Sequence, residues 1–170
     1  HANLLLNGSF EEGEMTSAAG ESLAPGSSAI AHWQIGANGI DWIGTYWQAS
    51  HGSRSIDLDS GLELGEGPYN GSIWQSFATV PGQQYRVAFD LAGNPDGGLT
   101  VKPLQVTVGE SVLEFTFDNS QGQTTSEMGY QSHWFNFTAS DALSTLAFAS
   151  LTNGISLGFG PVLDNVSVTA

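Results

Sequence analysis

The side chains in this sequence that could do chemistry are mostly carboxylates and aromatic rings. Seventeen Asp and Glu stand against three bases, Arg54, Arg86 and Lys102, and there is no cysteine. Two carboxylates flanking one bond can cleave a glycoside, and Glu11/Glu12 and Glu63/Glu66 are neighbours of that kind. With 17 acids such pairs arise by chance, and none stands out. Asp57-Leu58-Asp59-Ser60-Gly61 looks like a calcium loop, but its glycine and the following glutamate miss the EF-hand offsets. His1, His32, His51 and His133 have no metal-ligand spacing, and a copper brace at His1 would need a free amino terminus and a second histidine. No G-x-S-x-G elbow or H-E-x-x-H pair occurs. Three bases cannot line a cleft for uronate cleavage. Without cysteine there are no disulfides, thiolate zinc sites or thiol nucleophiles. The residues point away from catalysis.

The aromatic residues point elsewhere. Five Trp, four Tyr and nine Phe are many for 170 residues. Side chains alternate across a strand. In Ser72–Phe77, Ile73, Gln75 and Phe77 share one face, which turns Trp74 to the other with Ser72 and Ser76. Phe135 and Phe137 point inward, so Trp134 points out with Asn136. Tyr46, Trp47 and Tyr69 fall in turn-rich stretches, whereas Trp33 and Trp42 read as core. An exposed ring packs on the apolar C–H face of a sugar while nearby Asn, Gln or Asp bond its hydroxyls. Trp74, Trp134, Tyr46, Trp47 and Tyr69 are therefore the expected ligand-binding residues. The competing reading packs the outward tryptophans on each other or under a loop at 61–71.

Charge narrows the ligand. A net charge of −14 excludes nucleic-acid phosphate and anionic lipid. It excludes acidic glycans too unless a metal bridges them, so a neutral glycan is expected. No apolar run approaches the ~20 residues of a membrane span. A surface of Ser, Thr, Gly, Asn and Gln suits an exported protein, secreted or at a cell surface. His1-Ala2 reads as the remnant of a signal cleavage or a tag.

Positioning these groups falls to strands. Short alternating runs at 84–91, 101–108, 112–117, 134–138, 143–150 and 162–168 are separated by turn residues such as Pro81-Gly82 and Asn119-Ser120-Gln121-Gly122. Val162, Asp164, Val166 and Val168 are expected on one face, and 13–28 and 61–71 as surface loops. Strands about ten residues apart, with no helical period, predict an all-β antiparallel sandwich forming one domain over residues 3–170. Four N-x-[ST] sequons, at Asn7, Asn70, Asn136 and Asn165, read as chance.

The ordered motifs carry a resemblance. Asn3-Leu4-Leu5-Leu6-Asn7-Gly8-Ser9-Phe10-Glu11 is similar to the opening strand of galactose-binding-like jelly rolls, several carbohydrate-binding modules among them. Ile40-Asp41-Trp42-Ile43-Gly44, Gly52-Ser53-Arg54-Ser55-Ile56-Asp57-Leu58, Ile73-Trp74-Gln75-Ser76-Phe77 and Gly160-Pro161-Val162-Leu163-Asp164-Asn165-Val166 follow in order. Together they resemble the bacterial choice-of-anchor C secreted proteins. They are also similar to a plant cell-wall family of formally unknown function that binds polysaccharide and wall proteins. His51 departs from the acid usual in the bacterial relatives, and the plant proteins' paired cysteines are missing. The resemblance implies a jelly roll whose first and last strands meet, with a structural Ca²⁺ held by Glu11 and Asp164 and completed by loop oxygens near Ser53. The expectation is a non-catalytic, calcium-stabilised module binding carbohydrate outside the cell. The alternative is an adhesive surface module with a protein partner.

Overall fold

In the computed structural model, the described residues are 2–61, 68–152 and 158–170. Eleven strands form among them: β1 (Gly20–Leu23), β2 (Gln34–Ile35), β3 (Ile40–Ile43), β4 (Ser55–Asp57), β5 (Ser72–Ala78), β6 (Gln84–Gly93), β7 (Val101–Val108), β8 (Ser111–Asp118), β9 (Gln131–Thr138), β10 (Leu143–Ser150) and β11 (Pro161–Thr169). They make two antiparallel sheets, one of six strands in the order β1-β3-β4-β11-β6-β9 and one of five in the order β2-β5-β10-β7-β8. This is the all-β sandwich that the alternation predicts.

The core lies between the sheets. Tyr85, Val87, Phe89 and Leu91 of β6, Phe135 and Phe137 of β9, Phe148 of β10 and Val166 of β11 are all buried, as their phase requires. Phe89 joins the layers: its ring meets Phe148 edge-on at 5.4 Å and Phe115 at 5.1 Å. Such edge-to-face pairs add to the area term. Trp33 and Trp42 are buried, with indole N–H groups donating to the carbonyls of Asn7 and Phe10.

Three local readings change. Residues 3–11 are irregular rather than an opening strand, because asparagine side chains take over the bonding. Asn3 Nδ2 donates to Val166 O, and Asn3 Oδ1 accepts from Val168 N–H. The segment still lies along β11, as the resemblance implies. Within 13–28 a strand does form: Gly-Glu-Ser-Leu has no apolar period, and β1 exists because it pairs with β3. The last strand does not keep one phase. A bulge at 165–166, with Asn165 at φ 52°, shifts the register. Asp164 then pairs with Asp90 on the outer face, while Val168 pairs with Val87 in the core. A bulge costs one residue of alternation, and nothing in the apolar pattern signals it.

Phe89→Ala removes the ring that bridges both layers. Unfolding in denaturant should show a loss of about 3–5 kcal/mol. A loss below about 1 kcal/mol would contradict this packing.

Candidate functional site

The strands β3 and β4 place two acids where an apolar run would be expected. Asp41 and Asp57 face each other across the ladder, in a row that runs from Ser22 of β1 to Val162 of β11. This row is on the outer face of the six-stranded sheet, yet Asp41 and Asp57 are 5% and 1% exposed, because loops fold over them. Each carboxylate is met by donors. Asp57 accepts from Asp59 N–H (2.9 Å), Gly160 N–H (3.1 Å) and Asn94 Nδ2 (2.9 Å). Asp41 accepts from the hydroxyls of Ser22 (2.6 Å) and Ser60 (3.2 Å). Thr152 Oγ1 donates to Asp59 Oδ2 at 2.7 Å, and Asp59 Oδ1 is buried without a partner. Gly160 is required here, since a Cβ would fall 2.6 Å from Asp59 Cγ and 2.8 Å from Asp57 Oδ1.

Lys102 holds the covering loops. It lies on the inward face of β7, fully buried, and its Nζ donates to the carbonyls of Gly97 (2.7 Å), Leu99 (2.7 Å) and Phe159 (3.0 Å). Burial lowers its pKa, and the nearby Asp57 and Asp59 charges oppose that. Burial raises the acids in turn. Asp41 is pushed up to about 6, against the hydroxyl bonds that favour its ionised form. Asp57 rises well above the carboxylate range, through burial and then the charges of Asp41 and Asp59.

Over this floor opens a cavity of about 400 Å³. Asp41, Asp57 and Asn94 form its base, and Trp47, Tyr46 and Asp96 its rim. The Tyr46 hydroxyl donates to Asp96 Oδ2, and its ring, half exposed, lies 5.8 Å from that of Trp47 at 54°.

The expected ligand-binding residues separate. Tyr46 and Trp47 come together at this cavity, although Trp47 is buried and its indole N–H donates to Ser55 Oγ, so only part of its ring borders the space. Tyr69 is half-buried, its carbonyl accepting Ser60 N–H. Trp74 is outward on β5 and Trp134 outward on β9, 36% and 58% exposed. These strands belong to different sheets, so the two rings stand on opposite faces of the sandwich and form no common platform. Ser76 Oγ is engaged with Thr145, and Arg86 stacks on Trp134 at 4.0 Å.

Glu11 and Asp164 each accept from the loop at 51–54, which carries Ser53. Glu11 accepts from Ser53 N–H (2.9 Å), Ser53 Oγ (3.1 Å) and Arg54 N–H (2.8 Å), while Asp164 accepts from His51 N–H (2.9 Å) and Asn165 N–H (2.7 Å). Gly52 at φ 70° lets the loop approach, because a Cβ there would lie 2.5 Å from Glu11 Cδ. Burial pushes Asp164 up to about 7. Among the described residues, no three of His, Cys, Asp and Glu converge as a metal site.

Asp41, Asn94, Asp96 and Lys102 escape sequence reading as site residues. One signal was available: Ile40-Asp41-Trp42-Ile43 and Ile56-Asp57-Leu58 each interrupt a buried-looking run with an acid. Lys102 is marked only by its phase, two residues before the inward Leu104.

The geometry can be set beside known proteins. A family described as "Protein of unknown function (DUF642)" matches residues 3–169. The chain belongs to that family. Halomucin of Haloquadratum walsbyi is 29% identical over 175 residues, covering 98% of this chain, which spans about 2% of that relative's length. Among solved structures, TmCBM61 in complex with β-1,4-galactotriose superposes with a TM-score of 0.53 at 18% identity, covering 99% of this chain and 98% of that one. A family 16 carbohydrate-binding module follows at 0.52 and 13%, covering 99% and 100%. A family 35 module from Clostridium thermocellum gives 0.51 and 14%, covering 90% and 100%. This DUF642 member therefore shares the sandwich of those modules. No helix among the described residues is long and apolar enough to cross a membrane.

The raised Asp41 carboxyl has a consequence for stability. A carboxyl whose pKa rises on folding is more protonated in the native state, so it favours folding at low pH. Its contribution is full below its ordinary 3.8 and is lost as pH rises through about 6. His133, held below its ordinary 6.5 by burial, acts in the opposite sense. The comparison that isolates Asp41 is parent against Asp41→Asn. The parent's Tm relative to the variant should fall as pH rises through about 6. A difference that stays flat with pH would contradict the assignment.

Proposed function

We propose that this DUF642 domain is a non-catalytic carbohydrate-binding module that takes a glycan free of acidic groups in the cavity beside Tyr46. The observation that carries this is the pairing of a half-exposed aromatic ring with convergent polar groups in one concavity. Tyr46 offers a face to sugar C–H groups, and Asp96, Asp41 and Asn94 offer hydrogen-bonding atoms around it. Binding sites commonly combine apolar walls with a few placed polar groups in this way. The fold shared with carbohydrate-binding modules supports the reading. Trp74 and Trp134 remain single exposed rings, each able to make a separate sugar contact.

The test is retention on insoluble uncharged polysaccharides. Tyr46→Ala should weaken binding roughly tenfold, a loss of about 1.4 kcal/mol, with Trp74→Ala and Trp134→Ala measured beside it. Equal retention of the parent and all three variants would shift the reading to a protein partner at a cell surface.

Calcium stabilisation and placement outside the cell belong to the same proposal. Surface or wall association rests on the motif resemblance to the choice-of-anchor C proteins. For calcium, the support is that Glu11 and Asp164 both fold onto one loop. Each carboxylate accepts N–H donors and keeps lone pairs that an oxygen-seeking ion could use. When bound, the ion would screen the repulsion between the two acids. An ion bound only by the folded state adds about 2.7 kcal/mol at hundredfold excess over Kd. Chelator should lower the Tm, and Asp164→Ala should remove that response. An unchanged Tm in a metal-stripped sample would leave the N–H bonds as the clamp.

A further inference from the structure

The cavity beside Tyr46 has an unusual charge balance. Its ionisable wall groups are Asp41, Asp57, Asp96 and Tyr46, and no basic side chain lines it among the described residues. The chain's three bases are engaged elsewhere. Lys102 Nζ bonds three carbonyls, Arg54 lies over Trp42, and Arg86 lies over Trp134 on the edge strand β9. Asp41 and Asp57 stand directly opposite on adjacent strands, where like charges repel. Asp57 is held by three N–H donors, and burial raises it toward its neutral form, so it makes no contact with a ligand. Asp96 is different: it is exposed at the rim, Oδ2 takes the Tyr46 hydroxyl, and Oδ1 accepts no hydrogen bond among the described residues.

We infer that this cavity takes a sugar unit carrying a free amino group, such as a deacetylated hexosamine, with the ammonium against Asp96 and Asp41 and the sugar ring against Tyr46. The inference rests on the carbohydrate reading above and names the ligand class. An ammonium supplies the positive charge that the wall lacks, in a partly dehydrated space where charge-assisted hydrogen bonds are strongest. The neighbouring rings of Tyr46 and Trp47 add cation–π attraction. Burial raises the Asp41 pKa, and the nearby Asp59 charge adds to that. A lysine side chain on a protein carries the same ammonium, but a cavity of about 400 Å³ is roomy for its narrow stem and suits a saccharide ring.

The experiment is calorimetry on the whole chain with three oligosaccharides of equal length: a glucosamine oligomer, its N-acetylated counterpart and a cello-oligosaccharide. The glucosamine oligomer should bind roughly tenfold tighter than the other two, as expected for a hydrogen bond to a charged group. Added salt should shrink that advantage. In Asp96→Asn, an exposed position that leaves the core intact, the ratio should fall toward one, and Asp41→Asn should act in the same direction if it folds. Equal binding of all three oligomers would keep the carbohydrate reading and overturn the amine inference. So would tighter binding of the N-acetylated oligomer, an amine preference that survives Asp96→Asn, or tighter binding of a lysine peptide than of the glucosamine oligomer. Absence of binding by all three would overturn the carbohydrate reading and the inference together.

Discussion

A carboxylate can sit inside a protein only if donors reach it from several sides, because an unpaired buried charge is far too costly. Asp57 meets this condition with N–H groups from three stretches of chain: Asp59 beyond its own strand, Asn94 beyond β6, and Gly160 before β11. Those stretches are the loops that wall the cavity. The acid and the loops therefore define one another. Remove the acid, and three donors lose their acceptor; move a loop, and the acid is left bare. Lys102 reinforces this from beneath by drawing the carbonyls of Gly97, Leu99 and Phe159 to one point. The outer face of the six-stranded sheet, which in a two-layer sandwich could face water, becomes a second, polar interior at this end.

The same sheet carries a similar construction further along β11. Asp164 receives amides from the 51–54 loop, and that loop passes its next amides to Glu11 of the amino-terminal segment. Two carboxylates thereby fasten chain regions that share no sheet pairing. This explains how a domain without disulfides secures its irregular residues 3–11. It also explains why the glycine at 52 and the one at 160 admit no side chain: in both places backbone must approach a carboxylate closely.

Membership of the DUF642 family and the sandwich shared with carbohydrate-binding modules describe the scaffold, whereas function resides in the site placed on it. Here the candidate site is built from loops at one end of the six-stranded sheet, and the ladder of β3 and β4 holds its floor. The exposed tryptophans lie outside it on both outer faces. Each is partly covered: Trp74 packs against Gly36, and Trp134 lies under Arg86. Isolated apolar residues of this kind are common on protein surfaces, which leaves the cavity as the place where aromatic and polar groups converge.

By itself, the sequence determined the long alternating strands, most of their phase and most of the core. Alternation in 84–91, 101–108 and 143–150 is a local property, and a sandwich buries whatever face that alternation makes apolar. Only the tertiary structure decided which outward rings share a face. Trp74 and Trp134 have the same local signature, yet strand order sends them to opposite sheets, and strand order depends on long-range pairing that no local period encodes. The cavity was hidden for the same reason. Asp41, Asp57 and the Asn94–Asp96 turn lie apart in the chain, and their proximity comes from cross-strand register and loop closure. The bulge at Asn165 shows the limit at the smallest scale: one extra residue reversed the facing of Asp164 relative to Val168, and the apolar pattern gave no sign of it.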